Sequence, residues 1–559
     1  MKQRYFVASV TALLFIGGMR ATAQDDAKAP PGVNTKPLKA EWVYSRDGGM
    51  TFTKVPPQGA PPKAREGIVP LAFRGTFQVD DPAKLPGLWI RIAEPGDIPR
   101  AAICDGDLTA ASGGYWKDLG FCPTLLNARL TLNGKRVPLT KGPMLYFWLP
   151  ILGELKKGEN TIELAGDCYT YWGAAPAPAI TARLIGAEPQ PAPIYNGPLL
   201  GDFGNEYFTL ACRTRLPAHL TVEVTPIDPP GKPITTASSG TIWHRVKVAV
   251  PAGTKSVRYV LKSKVGVHES MRGPFTVRFP GERFRFVALG NLQTHRIAVD
   301  HWAATATHAL KFDPAFILHT GNCSEHGTWE FEWERRYFDP AGKLLASVPT
   351  LLTPCSRDFA GAVQELHYTP AADTYSHNWS KVVGPIRLIG LDGNQTWKLG
   401  EANFVWLQKE LAAAKEKFVF VLDAYPGYSS GKYSNKPRAA LMQTREVIMP
   451  LLGKYKATAL ISGWDSSYER CEPTPDKGCT QIVTGAAGKD AYPFSPTATR
   501  LNPFSKDKGR DWAGWASHGA RSFCVFEVMG DSVEFRAVAV PSDLNGELKV
   551  LDKKTFRPR

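Results

Sequence analysis

The chain has 559 residues and a formal charge of +15. One hydrophobic core does not grow to that length, so three or four domains are expected. The basic residues are scattered, with no dense run and no nucleic-acid motif. That pattern argues against nucleic acid as a partner and leaves acidic ones, an anionic ligand or a polysaccharide among them.

The N-terminus starts with the basic Met1-Lys2-Gln3-Arg4, and an apolar run follows from Tyr5 to Met19. Ala21-Thr22-Ala23 then supplies small residues for cleavage. This predicts a secretory signal peptide over residues 1–23 and export to the periplasm or the cell exterior. The run is shorter than the roughly 20 apolar residues a membrane helix needs, and no later segment reads as one. Cleavage would remove Lys2, Arg4 and Arg20 and leave +12. Outside the cytoplasm disulfides persist. Of the nine cysteines, Cys471 and Cys479 flank a turn-rich loop, and Cys104 and Cys122 bracket another, so both pairs are disulfide candidates. With no CxxC pair, a cysteine-based zinc site is not expected.

Residues 24–37 are polar and rich in Pro and Ala, and read as a disordered linker. Over 38–186 short alternating strands and turns predict an all-β sandwich. Ala128 to Val137 reads as a hairpin with an Asn133-Gly134 turn, and Leu155 to Leu164 as a turn entering a strand. These two segments resemble the galactose-binding-like jelly rolls of exported hydrolases. If this domain bound sugar, Trp116, Tyr146, Trp148, Tyr169, Tyr171 and Trp172 would be the rings to stack on it. The alternative for them is ordinary core packing. A Pro-rich linker is expected over 187–200, then a fibronectin type III-like sandwich over 201–280. Strand–helix alternation over 281–547 predicts a layered α/β domain, and residues 548–559 read as a basic tail.

In such a domain ligands bind where strands end. Five strand ends belong together: Leu289-Gly290-Asn291-Leu292-Gln293; His319-Thr320-Gly321-Asn322; Pro354-Cys355-Ser356-Arg357-Asp358; Asp423-Ala424-Tyr425-Pro426; and Ser462-Gly463-Trp464-Asp465-Ser466. With Tyr428-Ser-Ser-Gly431, Tyr468-Glu-Arg470 and Thr484-Gly485, their order and spacing resemble the calcineurin-like metallophosphoesterases, in particular the purple acid phosphatase-like branch. The resemblance implies hydrolysis of phosphoesters by two metal ions held by carboxylates, an Asn and imidazoles. At the positions where the family places those groups, this chain has Asn291, Asn322, Ser356, Arg357, Ala424, Trp464 and Ser466.

An amide is neutral and does not bridge two cations as a carboxylate does, a methyl and an indole offer no lone pair, and a guanidinium repels cations. The expectation is therefore a phosphoesterase-fold pseudoenzyme, without catalytic residues or bound metal, acting as a binding or scaffold module. Against it stands an active hydrolase with a rebuilt site. Gln293, Asp358, Asp423, Asp465 and Arg470 make a candidate residual pocket, with Asp392, His295 and His326 near the same strand ends. For the acids, turn capping is the ordinary alternative; for Arg470 it is pairing with an acid or packing on Tyr468. A third reading is a carbohydrate-binding surface protein.

Overall fold

The computed structural model describes residues 34–56, 68–93, 102–104, 124–137, 145–146, 148–151, 153–169, 181–189, 194–292, 298–324, 333–355, 358, 378–431, 439–489, 515–517, 520–541 and 546–559. The signal-peptide assignment, Cys122 and the aromatics Trp116, Tyr171 and Trp172 lie outside these residues, as do the side chains of Cys104 and Tyr169.

The first region is built from alternating strands. Ile68–Val79, Gly158–Tyr169 and Thr124–Leu132 pair antiparallel at the centre of a seven-stranded sheet. Leu88–Ala93 and Thr181–Ala187 lie in a second sheet of four. Every second residue points inward, so Phe73, Leu130, Ile162 and Leu164 of the first sheet meet Ile90 and Leu184 of the second in one core. Tyr146 and Trp148 are buried in this region, so neither ring offers a face to a sugar. Residues 35–37, expected within a disordered linker, instead belong to the edge strand Thr35–Leu38, which pairs with Thr181–Ala187.

The second region departs from the expected two-sheet sandwich. It is one five-stranded sheet organised on Tyr207–Asp228, a strand of 22 residues. Register shifts between Arg213 and Leu220 bend this strand. Its two halves then line one core, where the Phe208 ring lies 5.8 Å from Tyr259. Leu216 and Ala218 at the bend pack against Trp89, Trp148, Ile185 and Ala187 of the first region. The segment expected to be a Pro-rich linker is tied to this strand, since Tyr195 N–H donates to Arg213 O (2.7 Å) and Arg213 N–H to Asn196 O (2.8 Å).

The third region stacks two mixed sheets face to face. Parallel strands Arg283–Leu289, Phe316–His319 and Thr350–Leu352 form half of one. Parallel strands Ile386–Gly390, Phe418–Asp423, Ala459–Ser462 and Thr480–Thr484 form the centre of the other. Phe286 lies between them, stacked on Phe526 of its own sheet (4.6 Å) and edge-on to Phe420 of the other (5.9 Å). Helices Ala298–Leu310 and Asp339–Ser347 pack through Trp302 and Leu344 on the first sheet, and Ala402–Ala413 packs through Leu407 and Leu411 on the second. The C-terminal ends of the parallel strands thereby come together along one rim. No helix among the described residues is long and apolar enough to cross a membrane.

Three expectations are corrected here. Residues expected to form a basic tail form the strand Lys549–Phe556, the outer strand of the first of these sheets. That strand carries the buried Asp552, which accepts hydrogen bonds from Tyr468 Oη (2.5 Å) and from Arg470 Nε (2.7 Å) and Nη2 (3.3 Å). Glu472 also pairs with Arg470 and reaches Lys554. Arg470 is thus committed to acids within the chain and does not belong to a pocket. Cys471 and Cys479, finally, are free thiols. Cys471 Sγ accepts from Gln481 Nε2 (3.7 Å), and Cys479 Sγ donates to Thr480 O (3.4 Å). Burial pushes the Cys479 thiol up to about 12.

Replacing Asp552 with Ala should strand a buried guanidinium and lower the unfolding free energy by about 3 kcal/mol. Glu472→Ala, at the exposed end of the same network, should cost less than about 1 kcal/mol. Urea denaturation of the two variants checks this order.

Candidate functional site

At the first strand end, Asn291 follows Arg283–Leu289 in the left-handed region (φ 57°). Asn322 does the same after Phe316–His319 (φ 57°), and Trp464 after Ala459–Ser462 (φ 64°). Asn accepts this conformation more readily than other side chains do, because its short amide bonds locally. A bulky Trp rarely adopts it, so the Trp464 loop is held by its surroundings. The glycines show how. A Cβ on Gly463 would meet Thr320 Oγ1 at 2.4 Å, and one on Gly485 would meet Asp465 O at 1.9 Å. Only glycine permits loops from the two sheets to pack this closely.

The amides at the expected metal-ligand positions are bonded to one another. Cys355 Sγ–H donates to Asn322 Oδ1 (2.7 Å), and Asn322 Nδ2 donates to Asn291 Oδ1 (2.8 Å). Asn291 Nδ2 then donates to Ser466 Oγ (2.6 Å), Gly485 O (3.0 Å) and Trp464 O (3.1 Å). Each Asn carbonyl oxygen therefore accepts from a neighbour inside the protein. Asp358 reinforces the arrangement by accepting from the backbone N–H groups of Asn322 (2.7 Å), Cys323 (2.6 Å) and Cys355 (3.1 Å). Its carboxyl lies above the usual range because burial disfavours the charge.

Beside these amides is an apolar plug. Trp464 and Tyr425 have ring centroids 4.7 Å apart and pack with Ala424, Cys355 and Leu441. Both rings are 6% exposed. The remaining acids are also inside. Asp465 accepts from Ser429 Oγ, and Glu469 accepts from Ser430 N (2.8 Å) and Oγ (2.7 Å). Asp423 accepts from Tyr425 N (3.1 Å) and Thr444 Oγ1 (3.0 Å). Burial, with a smaller contribution from Asp392, raises the Asp423 carboxyl to about 7. The nearby His319 accepts from Gly321 N (3.1 Å), and burial pushes it down to about 3, so it is neutral and turned inward.

The structure thus brings Asn291, Asn322, Ala424, Trp464, Ser466, Asp358, Asp423 and Asp465 to one rim, and every one of them is buried. It does not make an open pocket of Asp358, Asp423, Asp465 and Arg470. Gln293, Ser356, Arg357, His295 and His326 lie outside the described residues. Cys355, Tyr425, Ser429 and Glu469 take part although only their loops, not their roles, were evident in the sequence. The signal for Cys355 was its place one residue before the substituted Ser356-Arg357.

A pair of metal ions does not fit the residues described. Two divalent ions about 3.5–4 Å apart repel by on the order of 20 kcal/mol at an effective dielectric near 20, which bridging anions must offset. Here the position expected to bridge the ions, Asn322, and the ligand position beside it, Asn291, are neutral amides bonded to each other. Among the described residues no group of three or more His, Cys, Asp or Glu could hold a metal ion.

The fold is similar to that of a purple acid phosphatase. The purple acid phosphatase PPD1 from yellow lupin (Lupinus luteus) seeds superposes with a TM-score of 0.54 at 13% identity, over 88% of this chain and 93% of that one. PhoD gives 0.49 at 11% identity, over 64% and 89%. In sequence, human tartrate-resistant acid phosphatase type 5 is 32% identical over 89 residues, which are 16% of this chain and 25% of that protein. No protein-family model matches the chain. The expected phosphoesterase-like fold is supported.

Asp423 sets a pH dependence. Its carboxyl titrates near 7 in the fold against 3.8 ordinarily, so the folded chain holds the extra proton between those values. The group's contribution to stability therefore falls as pH rises from about 4 to 7. Asp423→Asn should match the wild type near pH 4 and exceed it by up to about 4 kcal/mol near pH 8. Denaturant midpoints across that range check the crossover.

Proposed function

We propose that this chain is an exported phosphoesterase-fold protein that no longer hydrolyses phosphoesters and serves as a binding or scaffold module. The observation that carries the reading is the Cys355–Asn322–Asn291 chain of hydrogen bonds, in which Asn322 and Asn291 stand at positions where metal ligands are expected. The Trp464–Tyr425 plug supports it, since it fills with carbon the rim where a substrate phosphate would enter. Export rests on the leader-like residues 1–23. If the chain were active, its fold would place it among the phosphoric ester hydrolases.

Protein purified from its own export compartment, with Gln24 at its N-terminus, should contain less than about 0.1 iron, zinc or manganese per chain. Its hydrolysis of aryl phosphate mono- and diesters should stay at background. Stoichiometric metal, together with turnover abolished by Asp423→Ala or Asp465→Ala, would overturn the reading.

A further inference from the structure

Cations that lie scattered in the sequence are gathered by the fold at one corner of the third region. Helix Ala402–Ala413 runs out into Ala414, Lys415, Glu416 and Lys417, and the short helix Met449–Lys454 runs out into Tyr455 and Lys456. Arg559 ties these two ends together. Its guanidinium donates to Glu416 O (3.2 Å), Tyr455 O (3.0 Å) and Ala414 O, and its N–H donates to Lys417 O (3.1 Å). Lys415, Lys417, Lys454, Lys456, Arg557 and Arg559 are thereby brought to one surface, and all six are exposed.

A lysine at a helix end ordinarily faces the unpaired carbonyls of the last turn. Here Arg559 takes carbonyls from both ends, which leaves the lysines unspent. The acids that reach this corner are spent as well. Glu416 accepts from Arg387 Nε (2.8 Å), and Asp531 accepts from Lys417. Asp476, on the loop packed against Gly453, pairs with Lys477 (3.9 Å). Among the described residues no acid pairs with Lys415, Lys454, Lys456, Arg557 or Arg559. Like charges held on one surface repel, and an anionic partner relieves that repulsion.

We propose that this corner docks an anionic polysaccharide, one that carries repeated carboxylate or sulfate groups. This rests on the reading of the chain as a binding module and names the partner's chemistry. The six cations stand on three separate segments of chain, so a flexible polymer engages several at once and gains from each added contact. A membrane surface would need apolar side chains to enter it beside the cations. None of the exposed large apolar residues lies in these segments. Tyr455 packs against the core and has the Lys454 ammonium over its ring (5.5 Å), which leaves a nucleobase no open face to stack on.

Binding of the full chain to immobilised dextran sulfate, with uncharged dextran as reference, tests this. The wild type should bind dextran sulfate and not dextran, and added salt should weaken the binding. A triple variant, Lys415→Gln with Lys454→Gln and Arg557→Gln, should bind at least about tenfold more weakly, since three exposed ion pairs are lost. A second triple with the same change in net charge, Lys36→Gln with Lys135→Gln and Lys232→Gln, should lose less than about threefold. Equal losses in the two triples would show that net charge alone is read, and would overturn the proposal. So would a wild type that ignores dextran sulfate, or one that binds phosphatidylglycerol vesicles more tightly. Metal content and turnover are measured separately, so the loss of hydrolysis and the choice of partner fail independently.

Discussion

The rim of the third region depends on one constraint: loops from two sheets that pack almost backbone to backbone must be cross-linked by something small. In a metal-dependent phosphoesterase two ions and their anionic ligands satisfy that need. Here a thiol, two amides, a hydroxyl and two backbone carbonyls do so, in a line running from Cys355 to Gly485. The line is directional. Each donor is spent on the next acceptor, so the network leaves no uncompensated charge in a buried place, where such charge is costly.

On the proposed reading, these bonds hold the backbone of the loops in the absence of metal ligands. The left-handed turns at Asn291, Asn322 and Trp464 are set by close contacts such as Gly463 on Thr320 and Gly485 on Asp465. Asn is the residue those turns tolerate best, and it also supplies both a donor and an acceptor. A carboxylate in place of Asn291 would face the Trp464 and Gly485 carbonyl oxygens with no proton to offer. On the proposed reading, amide substitution and metal loss would be two sides of one electrostatic change.

Local pattern revealed much of this. The α/β alternation, the Asn133-Gly134 hairpin and the five motif loops were evident because they are properties of short windows of sequence. What stayed hidden was pairing across distance. Residues 549–556 look like a basic tail until Asp552 is seen against Arg470, 82 residues away. The bend in Tyr207–Asp228 makes one sheet where two were expected, and bends arise from register rather than composition. Cys471 and Cys479 flank a plausible loop, yet each thiol is occupied by a different partner. Arg470 looked available to an anion because its acid lies on the last strand.

The central claim is that neutral hydrogen bonds have replaced a metal pair at these loops. Anomalous X-ray scattering from crystals soaked in manganese, zinc and iron tests it most directly. The expected result is no metal peak among Asn291, Asn322, Trp464 and Ser466, with both amides still bonded to each other. Two adjacent metal peaks within ligand distance of the Asn291 and Asn322 side-chain oxygens would contradict it.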